Sequence, residues 1–173
     1  MERKELAEVL LKDKVRKDAF KELSSEYAFT FEQLKELVSE LDWNEVSRNY
    51  QISWTKSMIE YFEKYYINWE IFSASREDNT ITDEIIETFK DKWSWSELSL
   101  NRDFLTKERI EKYKDLLDWK EVINNYGYGD LFNMEFLQKY IDYIPAEELD
   151  NSLLMREIVD KEKDNIIKEL RNQ

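Results

Sequence analysis

A motif that recurs along this chain limits its fold more than any other feature. Leu41-Asp42-Trp43-Asn44-Glu45-Val46-Ser47-Arg48-Asn49, Trp93-Ser94-Trp95-Ser96-Glu97-Leu98-Ser99-Leu100-Asn101 and Leu117-Asp118-Trp119-Lys120-Glu121-Val122-Ile123-Asn124-Asn125 share one pattern. Ile67-Asn68-Trp69-Glu70-Ile71-Phe72-Ser73 is a looser fourth copy. The anchors Trp43, Trp69, Trp95 and Trp119 stand 26, 26 and 24 residues apart. Weaker copies flank them, Phe20-Lys21-Glu22-Leu23-Ser24 before and Ala146-Glu147-Glu148-Leu149-Asp150 after. A unit of this size cannot bury its apolar face alone, so such units fold by stacking on their neighbours.

Each unit reads as a long helix followed by a short one. Thr82 caps a stripe of Ile85, Ile86 and Phe89, with Trp93 one turn further on. Thr106 caps a second stripe of Ile110, Tyr113 and Leu117. The unit before these carries Ile59, Phe62 and Tyr65 or Tyr66, with one extra residue ahead of its tryptophan. Spacings of three and four place such side chains on one helix face. The short helices open at Asp42, Ser94 and Asp118, each with a glutamate three residues on (Glu45, Glu97, Glu121). That spacing predicts a capping box. Asn49, Asn101 and Asn125 fall where the short helix must stop, and asparagine tolerates the left-handed backbone that ends many helices.

Composition agrees. Two glycines (Gly127, Gly129) and one proline (Pro145) in 173 residues are far below the usual shares of roughly 7% and 5%, and too few for a fold built on many tight turns. The expected fold is therefore all-α: a right-handed α-solenoid of about six short helix-pair repeats. It is read as a single domain, with a capping helix over 1–21, repeats over 22–151 and a capping helix over 152–173.

No Cys and no His occur, which removes thiolate metal sites, nucleophile–His pairs and the commonest general base. Carboxylate chemistry remains, either an acid pair or acids holding Mg²⁺. With 39 acids, however, some pair always lies at a suitable distance. The expectation is a non-enzyme with no cofactor. The net charge of −13 is uneven. Residues 1–21 carry seven basic and five acidic side chains, residues 22–151 carry 14 and 29, and residues 152–173 carry five of each. The acidic middle repels nucleic-acid phosphates and favours a basic protein partner. No apolar run resembles a signal peptide or a membrane span, so a cytoplasmic protein is expected.

The Trp-x-x-Leu-Ser-x-Asn signature is fullest in Ser94–Asn101, with Ser94 at the cap where the pattern has Asp. It resembles short tryptophan-anchored repeats in proteins of large DNA viruses, phages and some bacteria. The resemblance covers roughly residues 20–151. It departs at Ser75, which replaces the terminal Asn, and in the last unit, which lacks the tryptophan. It implies the repeat architecture and a viral or mobile-element context, with no activity attached.

Partner-binding candidates follow from position. Glu60, Glu87 and Glu111 occupy equivalent places on successive long helices, and Asp91, Asp115 and Asp142 form a second set near helix ends. They are either a docking stripe for a basic partner or a solvated face among Lys90, Lys112 and Lys114. The anchor tryptophans are read as core. Trp54 has no counterpart in other units and is either an exposed interaction anchor or a staple at the start of a helix. Tyr126 and Tyr128, in the only glycine-bearing loop, are either an adaptable contact surface or a longer turn. Three functions are carried forward: a protein-binding inhibitor of a basic host factor, a nucleic-acid mimic filling a DNA- or RNA-binding groove, and a carboxylate enzyme.

Overall fold

Twelve helices and no strand form among residues 3–74, 81–101, 104–126 and 131–171, which the computed structural model describes, the side chains of residues 6 and 7 excepted. They are α1 (Arg3–Glu26), α2 (Phe31–Glu36), α3 (Trp43–Arg48), α4 (Lys56–Phe62), α5 (Trp69–Ala74) and α6 (Asp83–Thr88). Then come α7 (Trp95–Leu100), α8 (Lys107–Tyr113), α9 (Trp119–Ile123), α10 (Met134–Tyr140), α11 (Ala146–Leu149) and α12 (Leu153–Arg171). The chain divides into two compact units, Met1–Ser94 and Trp95–Gln173. The expected all-α stack of helix pairs is what forms. In the N-terminal unit α1, α3 and α5 pack in sequence, as do α2, α4 and α6. In the C-terminal unit α7 packs on α9, and α8 on α10.

Caps define the first helix of each pair. Thr30, Thr55, Thr82, Thr106 and Asn133 each accept a bond from the amide three residues on, which satisfies one of the orphan N–H groups of a helix start. These helices span only six or seven residues, shorter than their apolar stripes suggest. After α2, α6, α8 and α10 the chain tightens into i→i−3 bonds, Glu40 N to Leu37 O, Lys92 N to Phe89 O, Leu116 N to Tyr113 O and Tyr143 N to Tyr140 O. The stripe carries on through this turn to buried Leu41, Trp93, Leu117 and Ile144, so hydrophobic period alone overestimates the helix. The extra residue before Trp69 is absorbed by a wider loop, with Ile67 N bonded five residues back to Phe62 O at 3.3 Å.

The anchor tryptophans wedge each pair against the next. Trp43 meets Phe62 (4.8 Å between ring centroids, 39° between planes) and Trp69 meets Phe89 (5.5 Å, 40°). Trp95 meets Tyr113 (5.1 Å, 44°) and Trp119 meets Tyr140 (5.0 Å, 35°). Each ring partner lies seven residues after its Thr or Asn cap. The recurring tilted geometry is a packing contact, as expected of core anchors. Trp119 is buried, while Trp43, Trp69 and Trp95 are half-buried. The indole N–H of Trp43 donates to Val38 O at 2.9 Å, and that of Trp119 to Lys114 O at 2.8 Å, both carbonyls five residues back. The Trp69 indole N–H has no acceptor among the described residues, because the widened loop before it displaces the equivalent carbonyl.

A second repeated lock is polar. Ser24, Ser47, Ser73 and Ser99 are fully buried. Each hydroxyl donates to the carbonyl four residues back, at 2.6, 2.6, 2.6 and 2.7 Å. Each also accepts the amide that opens the next short helix: Asp42, Asn68, Ser94 and Asp118 at 3.0, 2.9, 3.0 and 2.9 Å. Two expectations are corrected here. The cap amides of Asp42 and Asp118 go to the neighbouring repeat's serine, so the glutamate half of a capping box does not form there. Glu45 pairs with Arg48 and Lys21 instead. Nor is any described backbone left-handed. Asn49 is extended, at φ −68° and ψ 109°. Its Nδ2 donates to Ser24 O and Tyr27 O, both at 2.9 Å. Asn125 donates likewise to Ser99 O (3.2 Å) and Leu100 O (2.8 Å). The short helices do end at these asparagines, Asn49 being the C-cap of α3, but what holds them is a buried tie between repeats and not a left-handed turn.

Candidate functional site

The glutamate register follows from the caps, since Glu60, Glu87 and Glu111 each lie five residues after Thr55, Thr82 and Thr106. In the N-terminal unit Glu60 and Glu87 stand exposed on the neighbouring helices α4 and α6, which Lys56 and Glu84 also bridge at 3.0 Å. Tyr61, next to Glu60 in the chain, and Tyr65 are 59% and 75% accessible. Lys35 sits 4.6 Å from the Phe31 ring centroid and 6.0 Å from that of Tyr61. Asp91 is exposed in the turn after α6.

In the C-terminal unit the equivalent glutamate is engaged within the fold. Glu111 is half-buried, accepts the Tyr140 hydroxyl at 3.0 Å and pairs with Lys114 and Lys139, each at 2.8 Å. Hydrogen bonds from Lys114, Lys139 and Tyr140 hold its carboxyl down at about 2. The same contacts raise both lysines, and burial raises the Tyr140 phenol. Glu111 thus ties α8 to α10. Asp115 and Asp142 are exposed in the turns after α8 and α10.

Trp54, one of the binding candidates, is a core residue. It is 5% exposed and meets Phe72 edge-on at 5.3 Å and Phe62 at 6.5 Å, because the loop before α4 folds back over the apolar interior. Tyr126 is 81% exposed. Tyr128 and the two glycines beside it, like Ser75, lie outside the described residues. No role in the sequence pattern attaches to Tyr50 or Tyr61, and Tyr65 is one of two candidates for the buried stripe, a place half-buried Tyr66 takes against Trp43. Tyr50, Tyr61 and Tyr65 are all exposed, and Tyr61 borders the buried face of α4, its ring 4.9 Å from that of Phe62 and 5.5 Å from that of Phe31.

Among the described residues no group of three or more acidic side chains is placed to hold a metal ion. No described helix is long and apolar enough to cross a membrane. No protein-family model, curated protein or solved structure matches the chain.

Proposed function

We propose that the chain is a non-catalytic repeat protein that docks an acidic face on a basic protein. The observation that carries this reading is the surface of α4 and α6. Two carboxylates, Glu60 and Glu87, occupy one register position on stacked helices, and exposed Tyr61 and Tyr65 follow the first in the chain. Carboxylates repeated at one position on neighbouring helices present negative charge to a cationic partner. Tyrosine adds a flat ring that stacks on arginine or lysine at small entropic cost. On the resemblance to repeats of viral and phage proteins, the partner proposed is a host factor and the activity inhibitory. Docking through charge and rings together is favoured by those tyrosines over mimicry of a nucleic acid in the groove of a DNA- or RNA-binding protein, since a phosphate mimic needs carboxylates and not rings.

Steering by the acidic repeats makes association with such a partner salt-sensitive. The test is capture from host lysate, followed by measured affinity for the purified partner at low and high salt. Glu60→Lys/Glu87→Lys is expected to weaken binding and flatten its salt dependence, and Tyr61→Ala/Tyr65→Ala to weaken binding at every salt concentration. Affinity indifferent to salt and to both double variants sinks the proposal.

A further inference from the structure

We propose that α12 pairs in parallel with α12 of a second copy of this chain. The helix has two parts. Leu153, Leu154 and Ile158 are buried in the C-terminal unit, whereas from Val159 to Arg171 every residue but half-buried Lys161 is exposed. An exposed helical stretch of this length is marginal without tertiary packing. It is not polar all round, because Val159, Ile166 and Leu170 are 55%, 57% and 64% accessible. With 3.6 residues per turn, Val159 and Ile166, seven apart, share one line with Leu170 close to it.

Charge identifies the occupant. Arg156 and Lys163, also seven apart, run along one flank of this stripe, and Glu162 and Glu169 along the other. Two parallel helices related by a two-fold axis set the basic flank of one against the acidic flank of the other, along both edges of the seam. An antiparallel pair sets base against base and acid against acid. The flanks therefore fit a parallel copy of the same helix. Overall charge agrees, since residues 152–173 carry five basic and five acidic side chains while residues 22–151 carry 14 and 29. The charge that keeps copies apart elsewhere is cancelled on this helix. Lys163 also meets Asp160 at 2.6 Å, but both side chains are 59% accessible. An exposed pair of this kind is weak and yields readily to an intermolecular one.

The full chain should sediment at physiological salt as a species of twice the 21.2 kDa chain mass. Ile166→Glu should weaken association by about tenfold or more without changing the circular dichroism of the repeats, because Ile166 is exposed. Arg156→Glu/Lys163→Glu should also weaken it, and adding Glu162→Lys/Glu169→Lys should restore it with the flanks exchanged. The chain has no cysteine, so Leu170→Cys reports orientation alone: a disulfide between copies under oxidation is expected only from the parallel pair. A monomer up to about 100 μM, a range that populates even modest affinities, overturns the proposal. So does a dimer indifferent to Ile166→Glu, or one in which Leu170→Cys fails to cross-link.

Discussion

Four of the repeated junctions are polar, and the fifth is apolar. At the four, a buried serine accepts the amide that opens the next short helix, as Ser99 does from Asp118. At the fifth, Ile123 occupies the serine's place, four residues after Trp119, and is fully buried. The residue that opens α11 is Pro145, which has no N–H to satisfy. The two changes go together. Where the amide exists, leaving it dry and unpaired would cost about 1–3 kcal/mol, so a hydroxyl is placed there. Where the amide is gone, a methyl-rich side chain fills the volume and gains from burial. The serine is thus the acceptor for one particular donor and serves no general taste for polarity.

The largest effect that would break this comparison is Ile123→Ser. It loses buried apolar volume and installs a hydroxyl with no amide to accept, so a destabilisation of about 2–5 kcal/mol is expected by chemical denaturation. A loss below about 1 kcal/mol would mean the last junction tolerates the polar form and the pairing with Pro145 is incidental.

A smaller effect sharpens it. Ser99→Ala should cost about 1–3 kcal/mol, the penalty of the orphaned Asp118 amide. Asp118 already sits at φ −80°, within proline's range, so Asp118→Pro can remove the donor without distorting the backbone. In that background Ser99→Ala should cost less than about 1 kcal/mol, and the difference is the coupling energy. Equal costs in the two backgrounds would show that Ser99 acts through packing alone.

The smallest effect concerns pH. Glu111 lies in the same unit as the apolar junction, and its carboxyl is held at about 2 when folded, below the roughly 4.3 of an unfolded glutamate. A depressed folded value means that its contribution is complete above about pH 4.3 and disappears as pH falls through 2. Glu111→Gln should therefore lower the melting temperature at pH 7, and the gap from wild type should close as the pH approaches 2. A gap constant from pH 7 to 2 would show that the loss is one of packing.

Much of the architecture was legible before any coordinates. The tryptophan spacing, the Thr82 and Thr106 caps and the scarcity of glycine are local signals. A cap or a stripe acts within one turn of helix, so its meaning survives without knowledge of neighbours. Ser24, Ser47, Ser73 and Ser99 were equally visible as letters of the motif, yet their role was not, because a donor about twenty residues away gives a serine its purpose. The asparagines misled for the same reason. Local propensity suggests a left-handed stop for Asn49, but its partners are carbonyls 22 and 25 residues earlier in the chain.

The candidate site divides along the same line. Sequence alone placed Glu60, Glu87 and Glu111 in one register, and the structure keeps that register. Only tertiary packing separated them in character, leaving Glu60 and Glu87 exposed while Lys114, Lys139 and Tyr140 close on Glu111. Packing also drew Trp54 into the core, where Phe62 and Phe72 receive it. A chain encodes its period, caps and charge in neighbouring residues, so these can be read directly. Which carboxylate is drawn into a cluster of lysines and tyrosine and which indole is covered depends on what the next repeat brings against it, and that is decided only when the repeats stack.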